Sequence, residues 1–366
     1  MSELDLPEVL GVDRAGLIDG LSSSVEIFDA SRSAAEALEI PFAGDIIRDV
    51  LICGMGGSAV AGDLIATTYY ERMRVPLLVH RGYYLPGWAG DHTLAMLLSY
   101  SGETEETLTA AMQALERESP AIAITSGGKL DSWYNARHGI PVHSLPGGLQ
   151  PRMALMYMLI PAVVFLSRLG IIPPQGDDLD AARDAIQSAI DTYGPARPAD
   201  ANPAKQLAMR LHDKVPVIYG AEVTSGVAFR WKCQFNENAK QPSFWAALPE
   251  MNHNEIVGWE KAGAFGDQAQ VVVLRDPRQH RQVERRIALT RQIIRPHVSD
   301  IITIEGEGDS PLARMIDLVL LGDYVSLYSA CLRRVDPEPV DSIGALKQGL
   351  ATTGNQRLQA GESGSI

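Results

Sequence analysis

Val50-Leu51-Ile52-Cys53-Gly54-Met55-Gly56-Gly57-Ser58 joins four apolar residues to a glycine loop that ends on a hydroxyl. A short apolar run bounded by a glycine turn predicts a strand buried on both faces. A helical pattern follows. The same order recurs at Leu94-Ala95-Met96-Leu97-Leu98, which runs into Ser99-Tyr100-Ser101-Gly102-Glu103-Thr104 and then a helical stretch from Glu105 to Glu118. Two such corners of small and hydroxylated residues make one anion cradle. Amide N–H groups at a helix start attract negative charge, and the helix dipole adds to the pull. Glycine lets the backbone come close, and the hydroxyls add donors.

Working outward, Val75 to Val79 and Ala121 to Ile124 are further short apolar strands, and Pro141 to Leu145 is a fifth, edge-like one. Continuous apolar strands separated by helices predict a parallel sheet covered on both faces. Ala154 to Leu169 is apolar but interrupted by Pro161 and Arg168 and short for a membrane span, so it is expected as a buried helix. Ile172-Pro173-Pro174-Gln175-Gly176 ends that helix, and Tyr193 to Pro203, rich in Pro, Ala and Asp, has a linker composition.

The second half restarts the theme. Val215 to Gly220 is a strand with a small-residue turn, and a helix begins near Thr224-Ser225 with Val227, Ala228, Trp231 and Phe235 on one face. Val271 to Leu274 and Ile301 to Ile304 are strands, and helices are expected over Pro311 to Arg333 and Ser342 to Leu350. The chain therefore looks like two copies of one α/β unit: residues 1–170 with a leading and a following helix, a connecting segment 171–203, and residues 204–366.

The 366 residues allow about two domains. A net charge of −13 argues against nucleic acid as a partner. No membrane partner is expected, and the acidic stretch Met1 to Asp13 is not a signal peptide. Cys53, Cys233 and Cys331 have neither paired nor metal-like spacing, which points to buried thiols in a reducing cytoplasm.

Each candidate site has a plainer reading beside it. Gly54-x-Gly56-x-x-Ala59 also fits a dinucleotide loop, but that reading wants an acidic residue after the second strand, where His80 and Arg81 stand. It also leaves Ser99, Ser101 and Thr104 unused. Thr125-Ser126-Gly127-Gly128-Lys129 is an ordinary turn by itself and a third hydroxyl loop in company. Gly147-Gly148-Leu149-Gln150-Pro151-Arg152 carries an arginine that is either solvated or set to stabilise an oxyanion. Lys232 to Gln241 places Glu237 between Asn236 and Asn238 where Pro242 breaks the helix. This is a frayed helix end or a supported general base. His253, flanked by Asn252 and Asn254, suits acid/base work better than metal ligation, because no further His or Cys stands at ligand spacing. Lys347 lies beside an expected buried stripe of Ile343, Leu346 and Leu350, so it either faces solvent or points inward at a pocket rim.

Taken together, GMGGSAVAGD, SYSGETEET, TSGGKL, GGLQPRMAL, FNENAK, NHNEIVGW and IGALKQGL resemble the bifunctional phosphoglucose/phosphomannose isomerase family, in family order from residue 54 to 350. The resemblance implies two sugar isomerase (SIS) domains, each a flavodoxin-like parallel sheet flanked by helices. It implies a metal-free enzyme that uses no cofactor and interconverts glucose 6-phosphate, and mannose 6-phosphate, with fructose 6-phosphate through a cis-enediol. On this pattern Gly57, Ser58, Ser99, Ser101 and Thr104 bind the sugar phosphate. Glu237 is the base between C1 and C2, and Arg152 stabilises the enediolate. His253, supplied across a homodimer to the neighbouring subunit's site, opens the ring, and Lys347 assists near the ring oxygen. Two positions depart from the pattern. Glu103 stands where Asn is common and is expected to point outward, and Glu338 lies in a stretch where Thr is common. The rival readings are a sugar-phosphate-sensing SIS protein without turnover and an aminosugar-phosphate enzyme.

Overall fold

The structure, a computed structural model, describes residues 2–132 and 139–350. In chain order the principal elements of the first half are α1 (Ser24–Ala37), β1 (Asp49–Cys53), α2 (Gly56–Thr68), β2 (Leu77–His80), β3 (Thr93–Leu98), α3 (Glu105–Glu116), β4 (Ala121–Thr125), β5 (Val142–Ser144) and α4 (Leu155–Arg168). After them come α5 (Gly176–Tyr193), α6 (Pro203–Leu211), β6 (Val215–Ala221), α7 (Val223–Glu237), β7 (Phe244–Leu248), β8 (Ala269–Arg275), α8 (Arg281–Ile294), β9 (Asp300–Glu305) and α9 (Pro311–Leu332). A further helix covers residues 341–350.

Two parallel sheets result. The first has the order β2-β1-β3-β4-β5 and the second β7-β6-β8-β9. Alternate residues of a strand face opposite sides, and here both sides are covered. Val50 and Ile52 face the core shared with α2 and α4, while Leu51 and Cys53 face Ala110, Ala111 and Ala114 of α3. In the second sheet Ile218 faces α7, and Val217 and Tyr219 face Val283 and Ile287 of α8. The two sheets thus enclose one helical layer, in which α2, α4, α7 and α9 share a continuous apolar core. Helices α2 and α7 pack so closely that a Cβ on Gly226 would lie 2.9 Å from Thr67 Oγ1 and 3.0 Å from the Asp63 carbonyl.

Helix α9 is long and apolar enough to cross a membrane, but 94% of its apolar window is buried inside the fold. It also carries the buried charges Arg314 and Asp323. The apolar stretch 154–169 forms the buried helix α4, with Pro161 inside it. The connecting segment contains an 18-residue helix, α5, packed on α9. Its last turns are tied down by Asn202, which caps α6 through Lys205 N and donates to the Tyr193 and Gly194 carbonyls. Strand β7 was not expected from the sequence. Ile343, Leu346 and Leu350 correct the expected buried stripe: they are 43%, 64% and 56% exposed, because no element of this chain covers that face of the helix among the described residues.

Candidate active site

In the first sheet the order reverses between β1 and β3, so their following helices leave toward opposite faces and open a crevice at the strands' C-terminal ends. Both hydroxyl loops border it. Helix α2 opens on Gly56-Gly57-Ser58, and α3 opens directly after Thr104. Ser58 Oγ accepts from Tyr100 N at 3.3 Å, which ties the two loops together. Ser99 donates to Thr104 Oγ1 at 2.9 Å, and Ser101 Oγ accepts from Glu103 N. Ser58 and Ser99 are buried, whereas Ser101 is exposed at the rim.

The third loop supports the second from behind. Thr125 donates to the Gly127 carbonyl, and Ser126 donates to the Tyr100 carbonyl. A Cβ on Gly102, whose φ is +65°, would collide with the Gly127 carbonyl oxygen, so only glycine permits this approach. Glu103 turns away from the cradle: it accepts from Lys129 N at 2.9 Å and pairs with Lys129 Nζ at 3.1 Å. Tyr100 then fastens the arginine loop, because its hydroxyl donates to the Pro146 carbonyl and accepts from Leu149 N.

Arg152 enters this arrangement against the first loop. A Cβ on Gly57 would lie 3.0 Å from Arg152 Cα. The arginine side chain is only 3% exposed. Burial draws its pKa down, while Glu237 and Glu338 pull it back up. Its Nη1 lies 3.9 Å from Glu237 Oε2. Glu237 is the last residue of α7, and its carboxylate remains 28% exposed. Lys240 folds back to donate to the Glu237 and Pro337 carbonyls, each at 2.8 Å. Burial, then the charge of Arg152, lowers the Lys240 pKa.

The structure therefore brings together Gly57, Ser58, Ser99, Ser101, Thr104, Arg152 and Glu237. It does not bring His253 or Lys347 to them within one chain. His253 ends a short helical turn after β7 and is exposed, and among the described residues it makes no hydrogen bond or ion pair to Arg152 or Glu237. Lys347 is exposed on the helix 341–350. The thiols of Cys53 and Cys331 are buried and each is pushed up to about 12, so both are inert.

Sequence reasoning missed the buried support beneath the site. Arg230 and Asp323 form an ion pair at 2.7 Å, both nearly inaccessible, and Arg230 also donates to the Arg152 carbonyl. Gln234 donates to the same Asp323 carboxylate. Asp323 interrupts the otherwise apolar run Leu318 to Val325, and that charge was the signal available.

Comparison with known proteins places the chain in a family. Residues 200–350 match the bacterial phospho-glucose isomerase C-terminal SIS domain. The chain is 40% identical over 306 residues to a bifunctional phosphoglucose/phosphomannose isomerase of Caldicellulosiruptor bescii, covering 83% of this chain and 90% of that protein. It is 33% identical to the protein of the same description from Aquifex aeolicus, with 83% and 90% covered. Among solved structures it resembles a glucose-6-phosphate isomerase like protein from Thermus thermophilus, with a TM-score of 0.62, 22% identity, and 92% and 98% covered. That last likeness concerns the fold.

Proposed function

The chain belongs to the bifunctional phosphoglucose/phosphomannose isomerase family, and from that premise we propose how its crevice isomerises hexose 6-phosphates. The hydroxyl loops of β1 and β3 hold the phosphate, remote from the reacting carbons, and so orient the opened sugar. Glu237 takes the proton from C2 and returns it to C1 as the hydroxyl proton moves from O2 to O1, through a cis-enediol. The planar enediol no longer records the configuration at C2, so glucose 6-phosphate and mannose 6-phosphate both connect to fructose 6-phosphate. Negative charge develops on oxygen during the transfer, and Arg152 answers it. The observation that carries the reading is the approach of Arg152 Nη1 to Glu237 Oε2 at 3.9 Å, beside the Gly57 loop.

Ring opening falls to the partner subunit's His253, with Lys347 near the ring oxygen. The exposure of both residues in the single chain supports a homodimer in which sites are completed across the interface. Buried, inert thiols suit a cytoplasmic setting. A sensor without turnover is disfavoured by the relatives' common description as isomerases.

The test follows both hexose 6-phosphates with purified protein in EDTA. Wild type turns over undiminished by the chelator. Glu237→Gln loses at least about a thousandfold in kcat while sugar-phosphate binding stays within a few fold. Unchanged turnover in that variant contradicts the assignment. For the dimer, mixing Glu237→Gln with His253→Ala subunits regenerates one intact site per mixed dimer and restores activity. No recovery on subunit exchange contradicts the shared site.

A further inference from the structure

Arginine has five N–H donors in a rigid planar fork, and those of Arg152 are unevenly used. Nε donates to Asn238 Oδ1 at 2.7 Å. Nη2 spends both protons, on the Pro337 carbonyl at 2.7 Å and the Glu338 carbonyl at 3.0 Å. Nη1 has only Gln150 Oε1 at 3.4 Å and Glu237 Oε2 at 3.9 Å. Two edges of the fork are held, and the third, loosely occupied, faces the base.

The hold on Nε comes from a residue that is itself completely buried. Asn238 is 0% exposed, next in sequence to Glu237, at the C-terminal cap of α7. Its amide has a forced polarity. Nε of arginine can only donate, so the amide oxygen faces it. The amide nitrogen then donates to Ser326 Oγ at 2.9 Å, and that hydroxyl passes its proton to the Asp323 carbonyl at 2.8 Å. The line runs one way, from the turn leading into α4 through α7 to α9, and ends on the residue that pairs with Arg230.

We propose that Asn238 is a positioning residue that acts through Arg152, aiming Nη1 at the oxygen where charge develops during proton transfer. The inference rests on the assignment of Arg152 as oxyanion stabiliser. It gives the Asn-Glu-Asn stretch a division of labour: Glu237 moves the proton, and the next side chain sets the group that stabilises the result. A misaimed donor loses transition-state stabilisation more than ground-state binding, so kcat carries the effect and KM does not.

A double-mutant cycle tests it, with Asn238→Leu and Asn238→Ala introduced into wild type and into Arg152→Ala, all with thermal unfolding recorded to confirm folded protein. Leucine keeps the branched heavy-atom skeleton and removes the acceptor, and alanine removes it without added bulk. The expected result is a loss of about 30-fold in kcat for Asn238→Leu in wild type, with KM within threefold, and no further loss in the Arg152→Ala background. Equal losses in both backgrounds, or a change confined to melting temperature, overturn the proposal and leave the Arg152 assignment standing. Full turnover in Arg152→Ala alone removes that assignment and the proposal with it.

Discussion

The two sheets share the strand order second-first-third-fourth, yet their crevices are chemically opposite. At the first, between β1 and β3, the loops carry Gly57, Ser58, Ser99, Ser101 and Thr104, and the nearby carboxylate of Glu103 is turned onto Lys129. At the second, between β6 and β8, the corresponding loops carry Glu222 and Asp276. Glu222 accepts from His280 N, at the start of α8. Asp276 accepts from Arg278 N at 2.8 Å and from Arg314 Nε at 3.0 Å, and both members of that ion pair are buried. The protein's own carboxylates take up the donors that an anionic ligand would need. A cleft of about 1290 Å³ does lie over this end, but Asp276 and Arg314 in its lining are already paired, as are Asp178 and Arg72. Topology supplies a place for a ligand, and loop chemistry decides whether it can be used.

Transplanting the difference gives the largest effect. Ser101→Asp puts a carboxylate at the rim of the first cradle, giving it the sign of charge that the second carries, and kcat/KM for glucose 6-phosphate falls by about a thousandfold, roughly 4 kcal/mol, with melting temperature little changed. Retained activity would break the comparison.

The reverse change touches stability instead. Asp276→Ala leaves Arg314 buried without its partner and costs about 3 kcal/mol in urea unfolding, while turnover per folded molecule holds within twofold. Loss of turnover at full stability would exchange the roles of the two crevices.

The same helix α9 carries a pH signature near its start. Asp317 accepts from Tyr193 and from Glu307 N, but burial outweighs these bonds and holds its carboxyl up to about 6. Its folded pKa exceeds its unfolded one. The stability it contributes is therefore complete below about pH 4 and is lost as pH rises through 6. Asp317→Asn cannot charge, so wild-type stability relative to this variant falls by about 2–3 kcal/mol from pH 4 to pH 7. A difference that stays flat across that range contradicts the burial effect.

Gly57→Ala is the subtlest change. A Cβ there meets Arg152 Cα and the Pro151 carbonyl at 3.0 Å, so the arginine loop shifts by a few tenths of an ångström. A loss of about tenfold in kcat is expected, with binding retained. No change in kcat would show that the first loop does not set the position of Arg152.

Much of this was legible in the chain. Both sheets announce themselves through apolar runs broken by glycine or hydroxyl turns, and the cradle residues sit where those runs end. Strand β7 was hidden because Phe244-Trp245-Ala246-Ala247-Leu248 lies between Pro242 and Pro249 on a half-exposed edge, without a buried run or clean alternation. The Ile343, Leu346 and Leu350 stripe has helical period, but periodicity says only that a face is apolar, not which chain covers it. Arg230, Asn238, Asp323 and Ser326 were unreadable as a group because they come from two helices and meet only after the sheets close on the shared layer.

The central claim is that the Glu237 carboxylate moves the proton between C1 and C2. Incubating fructose 6-phosphate with the protein in D₂O, and following deuterium by NMR, reads that step directly. Wild type places deuterium at C1 of recovered fructose 6-phosphate and at C2 of the aldose formed, and Glu237→Gln places none beyond the uncatalysed background. Deuterium entering at the wild-type rate in that variant would contradict the account.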